Sequence, residues 1–238
     1  DVAVDPANVA PGRGSQLLVL SARDEPALRD LAELYCSALA DTAVPLADLC
    51  FTASAGRAHF PHRLAVRGTS ATAMRADLEA WLQGKSPPRL TRATVAASPP
   101  RIAFLFPGQG PQYAGMGRAL YRTVPAFRAA FDECCAALDP LLPRPLRSVV
   151  FGEDDQGELL DETRFAQPAM FAMEVALAAT WRAWGLHPKV VMGHSFGEYA
   201  AACIAGALSI ADGARMVAAR GRLAQTLPPD GAMLVVEA

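Results

Sequence analysis

The stretch from 190 to 197 constrains the fold of this chain more than any other. A short apolar run at 190–192 (VVM) leads directly into GHSFG at 193–197, and an alanine-rich stretch follows. A serine between two glycines, with a strand before it and a helix after it, is typical of a tight turn that leaves the serine hydroxyl exposed. The pattern therefore predicts an α/β fold in which Ser195 directly follows a strand.

Strand-like and helix-like patterns alternate along the rest of the chain, in two units. Residues 1–15, rich in Pro, Gly and Ala, predict a flexible lead-in, and residues 16–84 predict a small α/β domain. Residues 85–100 contain four prolines and few apolar side chains, which predicts a connector. In residues 101–238 the alternation predicts a parallel sheet covered by helices, and a last strand is expected at 232–236.

Prolines suited to a first helical turn mark two helices of the second unit. They predict helix starts at Pro125 and at Pro168, and Trp181 and Trp184 fall on the apolar stripe of the second helix, where we expect core packing. Residues 139–161 lie between these helices and show no regular period, so an irregular segment is expected there.

Charge and cysteine content narrow the possible partners. The 238 residues include 22 basic and 24 acidic side chains, a balance that does not favour nucleic acid or an anionic membrane. No apolar run reaches the roughly 20 residues of a membrane span, and no signal peptide is recognisable. Five cysteines without zinc-site or CxxC spacing predict free thiols in a reducing compartment. We expect a soluble, cytoplasmic protein without a bound metal.

Ser195 is the candidate nucleophile, but the chain offers no evident base. A helix N-terminus after the serine points backbone N–H groups at a developing oxyanion, while the serine also needs a proton acceptor. Of the four histidines, His194 adjoins the serine and should point elsewhere, whereas His59 and His62 belong to the first unit. His187 lies at the far end of the strand that precedes the turn.

Arg220 lies on the apolar side of the last predicted helix, which starts at a capping box from Ser209 to Asp212 and ends near Leu227. Its neighbours on that side are apolar at about 100° per residue, so we expect the arginine to point inward. A buried guanidinium needs an anionic partner, and its planar fork suits a carboxylate. An internal acid and a substrate carboxylate both meet this requirement, and the helix pattern does not choose between them.

Four short sequences resemble one family, in that family's order. They are FPGQG at 106–110, AQPA at 166–169, GHSFGE at 193–198 and ARGR at 219–222. This pattern resembles the acyltransferase family, which comprises malonyl-CoA:acyl carrier protein transacylases and the acyltransferase domains of type I polyketide and fatty acid synthases. The first unit, with GRAHF at 56–60, resembles the linker between ketosynthase and acyltransferase in such synthases. The resemblance favours a segment of a modular or iterative polyketide synthase.

The resemblance implies an α/β-hydrolase-like acyltransferase core with a ferredoxin-like subdomain. We expect residues 101–238 to be the N-terminal part of that core, because the chain stops at Ala238, about where the subdomain would start. The remainder of the core and the catalytic histidine would then lie outside this chain.

The resemblance also implies roles for individual residues. Ser195 would form the acyl-enzyme ester, and the backbone N–H groups of Gln109 and Phe196 would form the oxyanion hole. Arg220 would bind the carboxylate of a malonyl-type group. The remaining pocket residues would be Gln167 and His194, although Gln167 has an equally good interpretation as a helix-entry hydrogen bond.

The implied reaction moves a malonyl-type extender unit from coenzyme A to the phosphopantetheine thiol of an acyl carrier protein. No cofactor would be bound by the domain itself, and an adjacent ketosynthase and the rest of the acyltransferase would be its polypeptide partners. Phe196 stands where domains selective for methylmalonyl often have Gln, which favours malonyl. Two alternatives stay open: an α/β-hydrolase-type esterase or thioesterase, which shares the serine turn, and a docking segment without catalysis.

Overall fold

The structure is a computed structural model that describes residues 14–41, 43–96, 100–152 and 158–228. The chain divides into two compact units, Asp1–Pro100 and Arg101–Ala238. Most of the lead-in predicted at 1–15, and all of the strand predicted at 232–236, fall outside the described residues.

The first unit is a three-stranded antiparallel sheet, in the order β1-β2-β3, packed against helices. Leu18 and Leu20 of the first strand alternate with more exposed neighbours, so one face of the sheet is buried. Asp24 and Ser70 cap two of the helices through side-chain hydrogen bonds to backbone N–H groups. The elements are β1 (Gln16–Ala22), α1 (Glu25–Ala40), α2 (Leu46–Ala55), β2 (His62–Gly68), α3 (Ala71–Leu82) and β3 (Leu90–Thr94).

The third strand corrects one sequence-based prediction. Leu90–Thr94 lie within residues 85–100, the predicted connector, yet they form β3 and pair with β2. The four prolines of that segment flank the strand and do not interrupt it, so the backbone ladder can form. Arg89, just before β3, donates two hydrogen bonds to the carboxylate of Asp77 on α3, which ties the strand to the helix.

The second unit combines a parallel pair of strands with six helices in its described part. The strands β4 and β5 pair in the register Phe106↔Gly193, as the α/β prediction requires. Short 3₁₀ turns occur at Asp139–Leu141 and Glu158–Asp161. The elements are β4 (Ala103–Phe106), α4 (Arg118–Thr123), α5 (Pro125–Leu138), α6 (Leu146–Phe151), α7 (Thr163–Ala183), β5 (Val190–Gly193), α8 (Gly197–Ile204) and α9 (Ile210–Gln225).

Helix α7 is the centre of this unit and packs against α5, α8 and α9. The core is rich in phenylalanine: Phe127, Phe131, Phe165, Phe171 and Phe196 are all fully buried. Each such side chain contributes about 1.5–3 kcal/mol when it leaves water. Phe196, the residue after the candidate nucleophile, packs in this core and so fixes the position of the serine turn.

Two predictions for this unit are wrong in detail. Helix α7 begins at Thr163, so Pro168 lies inside the helix and not at its start. The hydrogen bond that the proline removes is outweighed by packing, because the residues before it are buried against neighbouring helices. The segment 139–161 is not irregular throughout, since it contains the buried helix α6, whose first N–H is capped by Asp139.

The two tryptophans of α7 also differ from the prediction. Trp181 and Trp184 were expected in the core, but they are 44% and 55% exposed and contact each other edge to face, with ring centroids 5.3 Å apart. The described residues cover this side of the helix only in part, so the two side chains are not in the core.

Candidate active site

Ser195 sits on a strained turn between β5 and α8. Its φ is 57°, and no other described non-glycine residue has a positive φ. A non-glycine residue in this region costs on the order of 1–3 kcal/mol, and such strain concentrates at functional sites. The conformation matches the exposed serine turn that the sequence predicts, and the Ser195 residue itself is exposed.

The glycines on both sides of the serine are required by close backbone contacts. A Cβ added to Gly193 would lie 2.2 Å from the backbone nitrogen of Glu198. At Gly197 it would lie 2.5 Å from the carbonyl oxygens of both Phe106 and Pro107. Helix α8 can therefore approach the end of β4 only because these positions lack a side chain.

The parallel pairing of β4 and β5 brings the loop after β4 to the serine. The His194 N–H donates to the carbonyl oxygen of Phe106 at 2.9 Å, which continues the pairing past the end of β5. A Cβ on Gly108 would lie 2.9 Å from His194 Nδ1 and 3.4 Å from Ser195 Cβ. The loop at 107–110 thus lies directly against the turn that carries the serine.

Two backbone N–H groups, one in the loop after β4 and one next to the serine, are without a hydrogen-bond acceptor among the described residues. They belong to Gln109 and Phe196. Phe196 stands at the N-terminus of α8, where the helix dipole favours negative charge. The Gln109 side chain reaches away from the loop, with its Nε2 3.5 Å from Thr163 Oγ1 at the start of α7.

Arg220 reaches the serine from α9. Its Nη2 donates a hydrogen bond to Ser195 Oγ at 3.0 Å, across 25 positions of sequence. Helix α9 packs close to α7 at Gly221, where a Cβ would lie only 2.9 Å from the Thr163 carbonyl oxygen. This close packing sets the position of α9, and with it the reach of the neighbouring arginine.

The expectation that Arg220 is buried is wrong. The buried side of α9 is formed mainly by small residues, namely Gly213, Ala214, Val217, Ala218 and Gly221. Arg220 is only partly buried, and its apolar neighbours Met216 and Leu223 are 45% and 64% exposed. The apolar side predicted from the sequence exists, but it borders an open groove and not the core.

That groove has a volume of about 600 Å³ and passes in front of Arg220. Gln167 lies in its wall, is 4% exposed, and its Oε1 has no hydrogen-bond donor among the described residues. The groove is lined by Gln167, Tyr199, Met216, Ala219, Arg220, Leu223, Ala224 and Leu227. The groove therefore combines the Arg220 guanidinium and the buried Gln167 amide with mainly apolar side chains. This lining suits a small ligand with one negatively charged end.

No histidine hydrogen-bonds to Ser195 within the described residues. His194 is exposed and its ring lies beside Gly108, while His62 faces Thr94 in the first unit. The described residues also contain no cluster of His, Cys, Asp or Glu that would hold a metal ion. Around Ser195 the described residues therefore provide a serine hydroxyl, two N–H groups without an acceptor and an arginine, but no histidine in contact with the hydroxyl.

Sequence reasoning missed three residues of this site. Gly108 was quoted only as part of a motif, although its missing side chain is what admits the loop to the serine. Tyr199 and Met216 line the groove. Helical spacing had placed Met216 on the side of Arg220 without assigning it to a site, and it would also have found Tyr199, which follows Ser195 by four positions.

Comparison with known proteins identifies the second unit. Residues 103–238 match the family described as acyl transferase domain, which is more than half of the chain. The chain belongs to the acyl transferase domain family. Residues 16–78 of this acyltransferase match a second family, described as CurL-like, PKS C-terminal. The family predicted from the four motifs is thus confirmed, and with it the class of enzyme, an acyltransferase of the polyketide synthase type.

Curated relatives and solved structures agree with this assignment. The chain is 43% identical over 220 residues to polyketide synthase GfsB of Streptomyces halstedii. It is 45% identical over 221 residues to the phenolphthiocerol synthesis polyketide synthase type I Pks15/1 of Mycobacterium marinum. The solved acyl transferase domain of ZmaA matches with a TM-score of 0.85 at 34% identity. The α/β fold predicted from the sequence is therefore confirmed.

The acyltransferase spans only part of these proteins. Each match covers 92% of the chain, but only 4% of GfsB, 10% of Pks15/1 and 50% of the solved ZmaA chain. Among the described residues, no helix has the length and apolar character needed to cross a membrane.

Proposed function

We propose that Ser195 takes a malonyl-type acyl group from coenzyme A and passes it to the phosphopantetheine thiol of an acyl carrier protein. The observation that carries this proposal is the hydrogen bond from Arg220 to Ser195 Oγ at the strained turn. It supports the proposal because a guanidinium, which can bind a carboxylate, contacts the hydroxyl that would attack the thioester. Membership of the acyl transferase family favours transfer over the hydrolase alternative and over a docking segment without catalysis.

In the first step Ser195 Oγ attacks the thioester carbonyl of malonyl-CoA and forms a tetrahedral oxyanion. The N–H groups of Gln109 and Phe196 have no other acceptor among the described residues, so both can donate to this oxygen. The C–S bond then breaks, coenzyme A leaves as its thiol, and the acyl group remains as an ester on the serine. The serine proton passes to a base that lies outside the described residues, and this base gives it to the departing sulfur of coenzyme A.

Arg220 selects the acyl group in this proposal. When the site is empty, one nitrogen of its guanidinium donates to Ser195 Oγ. A bound malonyl group offers a carboxylate, whose two oxygens match the planar fork of the guanidinium. An acetyl group offers no such partner and leaves the charge without compensation in a mainly apolar groove. Gln167, with its unpaired Oε1, lies in the wall of the groove beside Arg220, whereas His194 lies beside Gly108 and does not line that groove.

In the second step the thiol of the carrier protein attacks the serine ester. The base takes the proton of this thiol, and the same N–H groups stabilise the second tetrahedral intermediate. As the ester C–O bond breaks, the base passes that proton to Ser195 Oγ. We place the first unit beside a ketosynthase, because the family that it matches is described from polyketide synthases. Phe196 after the nucleophile favours malonyl as the extender unit, and the reaction takes place in the cytoplasm.

Intact-protein mass spectrometry tests the proposal. A polypeptide that contains this chain together with the base is mixed with malonyl-CoA and, in parallel, with acetyl-CoA, and we expect a malonyl adduct that is absent in Ser195→Ala. An adduct that persists in Ser195→Ala would contradict the assigned nucleophile. Equal yields from the two thioesters would contradict the role of Arg220. The absence of an adduct with either thioester would contradict the proposed transfer.

A further inference from the structure

Gln112 holds the loop that carries one of the two N–H groups assigned to the oxyanion. Its side-chain Oε1 accepts a hydrogen bond from the backbone N–H of Gly110 at 2.7 Å. This distance is at the short end of the range for an N–H donor. Only the oxygen of the Gln112 amide can accept this bond, because the nitrogen of the same amide is itself a donor. Gln112 lies two positions beyond the FPGQG sequence at 106–110.

This hydrogen bond decides which N–H group of the loop remains available. Gln109, Gly110 and Pro111 follow one another, and Pro111 has no N–H because its nitrogen is part of the ring. The Gly110 N–H is bound by Gln112, whereas the Gln109 N–H has no acceptor among the described residues. Of these three positions, only Gln109 therefore presents a donor to an oxyanion.

The same hydrogen bond restricts how the Gln109 N–H is oriented. The Gly110 nitrogen belongs to the planar peptide group that follows Gln109, so a bond to its N–H restrains the ψ angle of Gln109. On the other side, Gly108 lies against the serine turn, where an added Cβ would lie 2.9 Å from His194 Nδ1. Because the residue before Gln109 and the peptide group after it are both restrained, its own N–H has little freedom to turn.

Other contacts restrain this part of the loop less. Gly110 has a φ of 140°, which is open to glycine but rarely adopted by other residues. Both Gln109 and Gly110 are exposed, so packing fixes neither of them. The side chain of Gln109 reaches Thr163, but its Nε2 lies 3.5 Å from Thr163 Oγ1, longer than a typical hydrogen bond. The contact with Gln112 is therefore the shorter of these two side-chain hydrogen bonds.

Gln112 is connected to the core of the second unit through the residues that follow it. The Gly115 N–H donates to the carbonyl oxygen of Val150 on α6 at 2.8 Å, and Met116 is buried in the hydrophobic core. The backbone is thus fixed within a few positions of Gln112. The half-buried Gln112 side chain reaches back from this fixed backbone to Gly110, so it couples the exposed loop to the core.

We propose that Gln112 is a positioning residue for acyl transfer, which holds the Gln109 N–H in the orientation that stabilises the oxyanion. The inference deepens the proposed function and rests on it, because Gln112 acts through a donor of that reaction. A donor that is oriented before the reaction begins needs no reorganisation when the charge forms. Loss of a whole oxyanion donor lowers kcat by about a hundredfold to a thousandfold, and loss of its orientation should lower it by less.

The test compares Gln112→Leu with Gln112→Glu in a polypeptide that contains this chain together with the base. Gln112→Leu removes the acceptor, so kcat should fall about tenfold for malonyl-CoA and acetyl-CoA alike. The oxyanion exists only after attack on the thioester, so the KM for malonyl-CoA should change by less than about twofold. Gln112→Glu keeps an oxygen that can accept from the Gly110 N–H, and it should recover most of the lost rate.

A fluorophosphonate probe separates this inference from the proposed function. It transfers its phosphonyl group to the serine hydroxyl with loss of fluoride, and it carries neither a carboxylate nor coenzyme A. Its phosphonyl oxygen takes the place of the oxyanion, so the rate of labelling at Ser195 should also fall about tenfold in Gln112→Leu and recover in Gln112→Glu. If malonyl transfer is absent while labelling keeps this dependence, the proposed substrate is wrong and the positioning role is supported. If transfer occurs and neither kcat nor labelling responds to Gln112→Leu, the positioning role is wrong and the proposed function is retained.

Gln225→Leu is the matched control. Gln225 Oε1 also accepts a backbone N–H, that of Arg164 at 3.3 Å, but it lies at the end of α9 and not in the loop after β4. Its loss should leave the labelling rate of Ser195 within about twofold of the parent, and circular dichroism should show that all the variants are folded. An equal fall in labelling for Gln225→Leu and Gln112→Leu would indicate a general loss of stability and would overturn the positioning role.

Discussion

Arg220 Nη2 lies 3.0 Å from Ser195 Oγ, so the guanidinium of α9 donates directly to the hydroxyl at the strained turn after β5. The contact joins two residues that are 25 positions apart. It depends on Gly221, whose missing side chain lets α9 pack against the start of α7. In the proposed function, this hydrogen bond links the group that selects the acyl chain to the group that attacks it.

Arg220 should set the preference for a carboxylated acyl group. Arg220→Ala removes the charged hydrogen bonds to the carboxylate, so we expect the ratio of malonyl to acetyl transfer to fall about tenfold to a hundredfold. Arg220→Lys keeps the charge but not the fork, so it should recover only part of the ratio. The measurement is the kcat/KM for the two thioesters, made in a polypeptide that carries out transfer.

Arg222 is the matched control for this series. It lies on α9 two positions from Arg220 but is exposed on the opposite side of the helix. Arg222→Ala should leave the ratio of malonyl to acetyl transfer unchanged. If both alanine variants lowered the ratio equally, a general effect of positive charge would replace the specific contact.

Gly197 should tolerate no side chain. Its added Cβ would meet two backbone carbonyl oxygens at 2.5 Å, and backbone atoms cannot move aside as a flexible side chain can. We expect Gly197→Ala to lower the free energy of unfolding by about 3 kcal/mol or more. Gly206→Ala, where no atom lies within 4 Å but φ is +79°, should cost about 1 kcal/mol from backbone strain alone. Urea unfolding followed by circular dichroism compares the two variants, and similar costs would contradict the close approach.

The serine turn could be predicted from the sequence because its causes are local. Two glycines, a preceding strand and a following helix lie within a few positions of Ser195. The arginine was placed on the correct side of α9 by helical periodicity, since Met216 and Leu223 do share that side. The spacing of apolar residues along a helix, however, predicts only which side of it is apolar. It does not predict which other element covers that side.

The errors have the same physical origin. Trp181 and Trp184 are apolar enough for a core, yet they are exposed, because burial depends on which elements face them. Pro168 lies inside α7 because tertiary packing of the residues before it outweighs the lost hydrogen bond. Glu174 gave no signal in the sequence, since an acid on a helix is ordinarily solvated. Only the structure shows that Glu174 is buried and that its carboxylate has no hydrogen-bond donor among the described residues.

The pairing of Arg89 with Asp77 should hold β3 in the first unit. Asp77 is 7% exposed, and it accepts from Arg89 Nε at 2.8 Å and from Nη2 at 3.1 Å. Arg89→Met leaves a buried carboxylate without its donor, whereas the double variant with Asp77→Leu removes that defect. We therefore expect the single variant to lower the urea midpoint more than the double variant does.

An exposed pair on α3 provides the comparison for that prediction. Arg75 and Glu79 form a salt bridge at 2.7 Å, with both side chains nearly half exposed. Solvent screens such a pair, so Arg75→Met should change the midpoint little. If Arg75→Met and Arg89→Met had equal effects, the buried carboxylate would not be the cause.

Glu174 should make the stability of this chain depend on pH. Burial raises the folded-state pKa from its ordinary value of 4.5 to about 8, so the folded chain binds more protons than the unfolded chain between these limits. The stability that the protonated Glu174 contributes to the free energy of unfolding is fully present below about pH 4.5. It is lost as pH rises through 8, a change on the order of a few kcal/mol. Glu174→Gln cannot ionise, so its free energy of unfolding should fall less over this pH range. The control is Glu198→Gln, at an exposed position on α8, which should follow the parent chain. Urea unfolding at pH 5, 6, 7 and 8 gives the difference between the variants, and parallel curves for the parent and Glu174→Gln would show that the acid acquires a partner in this chain.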